Sequence, residues 1–232
     1  MSYAEHLVAS PLIACTWEQA TDAEHRQTVV PDACVDLIWS RERLFVAGPD
    51  TKARTVVLTP GARLVGARLR PGVAGSVLGV PASELRDLSV DAAELLGADA
   101  TELLRERLGR DDPHALLTGA LESRQASGPD PLVRAAIAAL GRPGARVGAV
   151  AAELGVSARQ LQRRVNDAVG YGPKMLARVL RFRRLQALPP APLVELALDA
   201  GYADQAHMTA EVTTLAGVSP VRFLKDRAPT AA

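Results

Sequence analysis

Arg159 lies within a Ser157-x-x-Gln160 pair and Gln162, Arg163 and Asn166 follow it at helical spacing, with Leu161 and Val165 between them. Such side chains have a defined chemistry on duplex DNA. An arginine forks onto guanine O6 and N7, and a glutamine pairs with adenine N6 and N7. The Ser-x-x-Gln spacing predicts a capping box, so a helix starts at Ala158. Leu161, Val165 and Ala168 then point inward, and Arg159, Gln162, Arg163 and Asn166 point outward. The free N–H groups and positive dipole at such a helix start favour phosphate, which adds Ser157 and Gln160 to the candidate DNA contacts. The alternative is a solvated basic face.

These residues sit in a diverged internal repeat. The stretch Gly155 to Val165 returns in outline as Gly201 to Val212, and each copy ends in Gly-x-small-Pro, at Gly170–Pro173 and Gly217–Pro220. The offset is 46 between the turn glycines and 47 from Leu161 and Met208 onward. The second copy offers Asp204, Gln205, Ala206, His207, Thr209, Ala210 and Thr213 as exposed candidates, with no arginine, and Glu211 would repel phosphate if it faced DNA. Its alternative is a packing helix that never enters a groove. Pro173 opens a helix to about Leu188, about 24 Å long at ~1.5 Å per residue. Such a spacer can set two reading helices about one DNA turn, ~34 Å, apart. Lys174, Arg178, Arg181 and Arg184 form a stripe along it, as phosphate contacts or as a solvated face.

Elements must hold these residues in place, and 232 residues suffice for two domains. Hydrophobic content of 48% with 23% charge is globular, and 3% aromatics leave Ala, Val and Leu to build the cores. Residues 130–232 carry 14 Lys+Arg against 8 Asp+Glu, whereas residues 1–129 carry 13 against 18. The basic C-terminal half fits a polyanionic partner. No apolar run approaches the ~20 residues of a membrane span, and the start lacks the positive region of a secretory signal. A soluble, cytoplasmic protein is expected. Cys15 and Cys34 read as buried thiols.

The N-terminal half, 1–125, reads as a β-rich unit followed by helices. Val35 to Trp39 and Leu44 to Ala47 predict a hairpin. Arg54 to Thr59 predicts a strand that turns at Pro60-Gly61 and returns antiparallel over Arg63 to Arg70. Helices are expected after Gly72, from an N-cap at Thr101 to Gly109, and from Asp112-Pro113 to about Ser123. Ser123 to Pro131 reads as a linker. Residues 126–144 are expected to be linker plus a leading helix, and 145–228 an all-helical unit. The fold class is α+β.

The ordered set Ala151-Ala152-Glu153-Leu154-Gly155-Val156-Ser157, Leu161-Gln162-Arg163, Gly170-Tyr171-Gly172-Pro173, Gly201 to His207 and Gly217-Val218-Ser219-Pro220 resembles the AraC/XylS family of DNA-binding domains. The resemblance implies seven helices, two helix-turn-helix units joined by one long helix, and transcriptional control. Base-reading positions carried over from it fall on Arg159, Gln162 and Arg163, and on Gln205, Ala206, His207 and Ala210. The family usually has Phe where Val165, Met208 and Val212 stand, and Arg where Ala210 stands, so the second unit is expected to pack less tightly and read less. Pro31 to Trp39, Ala47-Gly48-Pro49 and Gly66 to Gly72 are similar to the sensor-like region of some members. That implies a small β-barrel with Asp32, Asp36, Trp39 and Arg68 as candidate pocket residues; the alternative makes Asp36 a turn cap and Trp39 core.

The implied function is a sequence-specific DNA-binding regulator whose N-terminal domain senses a ligand or dimerises. The runner-up is a small-molecule-binding or protein-docking co-regulator with a degenerate DNA-binding module. Double-stranded DNA is the expected partner; a small-molecule effector and RNA polymerase are further candidates, and monomer and homodimer both stay open. The chain has no G-x-S-x-G, H-E-x-x-H or P-loop. His6, His25, His114 and His207 are scattered without ligand spacing. Neither enzyme activity, cofactor nor metal is expected.

Overall fold

The computed structural model describes residues 1–124 and 128–225. Positions 125–127 of the expected linker and 226–228 of the expected helical unit lie outside the described residues. Strands β1 (Ser2–Leu7), β2 (Ile13–Ala20), β7 (Arg63–Leu69), β4 (Val35–Ser40), β5 (Leu44–Ala47) and β8 (Ser89–Asp91) form one six-stranded antiparallel sheet in that spatial order. β3 (His25–Val29) pairs only with β6 (Arg54–Leu58) in a second, two-stranded sheet.

Period-2 alternation gives the large sheet two distinct faces. Val35, Leu37, Leu44, Val46, Val65, Ala67 and Leu69 face one side. There they pack with Val77 and Leu78 of α1 (Ala74–Leu78), Ala92 and Leu96 of α2 (Ala92–Leu96), Leu108 of α3 (Ala98–Leu108), and Leu117 and Leu121 of α4 (Pro113–Glu122). Cys15, Trp17, Ile38 and Ala47 form a separate buried cluster on the other face. Gln19 of that face donates to Gln27 of β3 at 2.5 Å, linking the two sheets.

Three expectations are corrected. The strand at Arg63 does not return on the one at Arg54: β7 pairs with β2 and β4, and β6 crosses to the second sheet. The turn at Pro60-Gly61 is pinned across the chain, Gly61 N–H donating to Thr21 O at 2.8 Å and Thr21 N–H to Ala62 O at 3.1 Å. The strands do not close into one hydrogen-bonded barrel; they form two sheets. Thr101 is not an N-cap; α3 begins at Ala98, and Thr101 is 2% exposed inside it.

Seven helices follow among the described residues: α5 (Pro131–Leu140), α6 (Val147–Glu153), α7 (Ala158–Val169), α8 (Pro173–Ala187), α9 (Leu193–Ala200), α10 (Gln205–Ala216) and α11 (Pro220–Lys225). α5 is more than a leading helix. Its Val133, Ala136, Ala139 and Leu140 share a core with Leu161, Val165, Leu176 and Val179.

The β-rich domain lies directly on this helical unit. Ala33 is buried in the α5–α8 core, and Val30 packs on the α8–α10 core. Arg183 of α8 donates to Asp32 O at 3.1 Å, Ala53 N–H to Leu215 O at 2.8 Å, and Arg86 to Gly170 O at 3.4 Å. Gly170 has φ +94, and a Cβ there would come within 2.3 Å of Pro49 Cγ. Glycine is therefore required twice over, for the left-handed helix end and for the domain contact.

Candidate nucleic-acid interface

The repeat is physical. After α6 the Val156 N–H donates to Ala151 O at 3.0 Å; after α9 the Tyr202 N–H donates to Ala197 O at 2.8 Å. Gly155 (φ +65) and Gly201 (φ +90) make the same left-handed turn. At the far ends Gly170 N–H binds Asn166 O and Gly217 N–H binds Thr213 O. The change of offset from 46 to 47 has a structural cause. The N-cap is Ser157 in the first unit and Asp204 in the second, so the second turn is one residue longer.

The extra residue, Ala203, explains His207. In the first unit Ser157 Oγ accepts from Gln160 N–H at 3.2 Å, and Gln160 Oε1 accepts from Ser157 N–H at 2.9 Å. In the second, Asp204 Oδ1 accepts from His207 N–H at 2.7 Å, and His207 Nδ1 accepts from Ala203 N–H at 3.2 Å. His207 thus repeats the part of Gln160. Its ring also lies edge-on to Tyr202 at 5.5 Å. Ser157 and Gln160 close the capping box of α7, Asp204 caps α10, and His207 gives its Nδ1 to Ala203 N–H while its Nε2 lies 3.5 Å from Glu211 Oε1.

The free faces match each other at the same offset of 47. On α7, Leu161 and Val165 are 0% exposed, whereas Arg159, Gln162 and Arg163 stand in solvent and Asn166 is half-buried. On α10, Met208 and Val212 are 0% exposed. Gln205, Ala206, Thr209, Ala210 and Thr213 are exposed on one face of the helix. Thr209 Oγ1 donates to Gln205 O at 2.8 Å, so its hydroxyl proton is already used.

The basic stripe on α8 is corrected in its larger part. Lys174 is exposed. Arg178 Nε lies 3.0 Å and Arg181 Nη1 2.9 Å from the two oxygens of Glu211 on α10. Arg181 also sits over the Tyr202 ring at 5.3 Å, and Arg184 binds the carbonyls of Gly141 and Ala200. These arginines brace the second unit against the first. The repulsion expected from Glu211 is met from inside, because its carboxylate is 14% exposed and paired with both arginines, with His207 Nε2 at 3.5 Å. The sequence held a signal for this pair: one acid on an otherwise uncharged reading helix, beside an arginine-rich spacer.

The four residues expected to line an N-terminal pocket divide between the sheet faces. Trp39 packs in the helix-side core, with Leu37 and Val35. Asp36 lies on the other face, where Arg68 meets three carboxylates: Asp36 Oδ1 at 3.1 Å, Glu5 Oε1 at 3.2 Å and Asp32 Oδ2 at 3.6 Å. Trp17 Nε1 also donates to Asp36, at 3.0 Å, and Tyr3 OH donates to Glu5 at 2.5 Å. Trp17, Tyr3 and Glu5 were not expected; they lie in strands that precede the first β-rich signal at Val35. Burial pushes the Asp36 carboxyl up, with Arg68 opposing. Burial works against the Arg68 cation, but Asp36 and Asp32 outweigh it and hold its pKa well above the ordinary value. Burial pushes the neighbouring Cys15 thiol up to about 11, which disfavours its thiolate.

Two capped helix-turn-helix units joined by one long helix define a DNA-binding unit of the transcription-regulator class. Residues 150–226 match a family described as a helix-turn-helix domain, and residues 5–91 match a domain of unknown function (DUF6597). Among solved structures the chain is similar to ToxT from Vibrio cholerae, at 10% identity over 96% of this chain and 100% of that one, with a TM-score of 0.49. It is also similar to ToxT with an unsaturated fatty acid bound, at 10% identity over 100% and 98%, with a TM-score of 0.47. The C-terminal domain of AraT, a response regulator from Geobacillus stearothermophilus, is 24% identical over 44% of this chain and 90% of that one, with a TM-score of 0.40. No curated protein matches the chain. Among the described residues no helix is long and apolar enough to cross a membrane.

Proposed function

We propose that the chain is a sequence-specific transcription regulator that places α7 and α10 in successive major grooves, under control of its N-terminal domain. One observation carries the reading. Arg159 and Arg163 stand in solvent, with Gln162 exposed beside them and its amide against Gly172, on a helix held by a complete capping box and a buried Leu161–Val165 face. A pre-formed, cationic, glutamine-bearing helix start is what direct readout needs. α10 contributes less affinity, because Gln205, Ala206, Thr209, Ala210 and Thr213 carry no charge. The loop from Val30 to Cys34 is the natural route of control. The Asp32 carboxylate belongs to the Arg68 cluster, its carbonyl holds Arg183 of α8, and Ala33 is built into the helical core. A ligand or second copy that rearranges that cluster would move α8.

An electrophoretic shift assay on a selected duplex tests the contact residues. Arg163→Ala is expected to weaken binding by about 1–3 kcal/mol and to relax preference at one base position. Ala210→Arg, on an exposed position of α10, is expected to tighten binding by adding a cation near phosphate. Unchanged binding by the first variant refutes the α7 assignment; weaker binding by the second refutes the placement of α10.

A further inference from the structure

We propose that His6, Glu18 and His114 form a site for one divalent transition-metal ion, zinc by its ligand chemistry, which ties the edge strand β1 to the start of α4. The sequence separates these residues widely, and the fold reunites them. In the β1–β2 register Ala4 faces Glu18 and His6 faces Thr16, so His6 and Glu18 are diagonal neighbours on the helix side of the sheet. His114 enters from the first turn of α4, its N–H held by the Asp112 cap at 3.0 Å.

One nitrogen of each imidazole and one carboxylate oxygen lie within 4.8 Å of one another. His6 Nε2 is 3.6 Å from Glu18 Oε1. Two ligands bound at about 2.0–2.2 Å in a tetrahedral zinc site lie about 3.4 Å apart, so small side-chain rotations complete the set. The His6 and His114 rings meet at 4.9 Å, edge to face. Nδ1 of His114 is buried with no hydrogen-bond partner, so an ion there need not displace an existing bond of that nitrogen.

Two imidazoles and one carboxylate suit zinc, nickel or cobalt, whereas magnesium and calcium prefer oxygen ligands alone. The side chains of His6 and Glu18 are 51% and 55% exposed, so the remaining coordination position opens to water. The positive end of α4 opposes a cation, and the Asp112 carboxylate at the cap offsets it. A bound ion would stabilise the N-terminal domain by mass action, because only the folded chain brings the three ligands together.

Equilibrium dialysis of the full chain against zinc chloride in chelator-free buffer tests the site. The expected result is one bound equivalent and a melting temperature raised by zinc. His6→Gln, at an exposed edge-strand position, should weaken retention by more than about tenfold and abolish the shift, as should His114→Gln. His25→Gln, on β3, should change neither. Absence of zinc binding by the unaltered chain, or full retention by His6→Gln with an unchanged circular dichroism spectrum, overturns the proposal.

Discussion

Arg68→Met is expected to destabilise the N-terminal domain by about 3 kcal/mol, measured by urea unfolding. The variant keeps the side-chain bulk and removes the guanidinium that Glu5, Asp32 and Asp36 share. Those carboxylates are 16%, 31% and 16% exposed, so water replaces the guanidinium only in part. Leaving a buried charge without its partner is the expensive half of any ion pair. The pH dependence has a definite sign. Burial already raises the Asp36 carboxyl, and losing Arg68 raises it further. A carboxyl whose folded pKa exceeds its unfolded one binds its proton more readily in the folded state. It favours folding below the ordinary carboxylate range, and that advantage is lost as pH rises through the window up to the raised folded value. The deficit of Arg68→Met should therefore be smaller near pH ~5 than near pH ~7.5. An equal deficit at both would mean that the cluster contributes packing rather than charge.

Glu211→Ala is expected to destabilise the second helix-turn-helix unit by about 2–3 kcal/mol. Arg178 and Arg181 are 28% and 19% exposed, and the variant strips both of their shared carboxylate at once. The loss falls on the α8–α10 contact, so hydrogen exchange should quicken in α9 and α10 while α6 and α7 keep their protection. Glu211→Gln, which retains one acceptor oxygen, should lose about half as much. Uniform acceleration across all seven helices would show that Glu211 is not a local brace.

Much of the helical unit was legible because its signals are local. Ser157 with Gln160, Pro173, Gly170, Gly201, Gly217 and Ser219-Pro220 each act within a few residues, and the structure places helix ends at all of them. The role of His207 was hidden because it depends on one inserted residue, Ala203, whose N–H needs an acceptor. Arg178 and Arg181 looked like phosphate ligands because helical spacing gives a stripe its direction, but not the residue waiting on the next helix. The β-rich half was read only from Val35 onward. β1 and β2 carry Glu5, His6, Glu18 and Gln19, whose polarity masks the alternation. Their partners, Arg68 and His114, lie far along the chain. Strand pairing is non-local, so the sequence showed β7 as a strand without showing that β2 and β4, not β6, flank it.

The claim on which the rest depends is that α7 reads duplex DNA. The most direct measurement is fluorescence anisotropy of a duplex obtained by random-oligonucleotide selection, titrated across salt concentrations with the unaltered chain and with the Arg159→Ala/Arg163→Ala double variant. The expected result is a steep fall of affinity with salt for the unaltered chain; the double variant should bind at least about a hundredfold more weakly. Equal affinity and equal salt dependence for the two proteins would contradict the account, because α7 would then lie outside the bound surface.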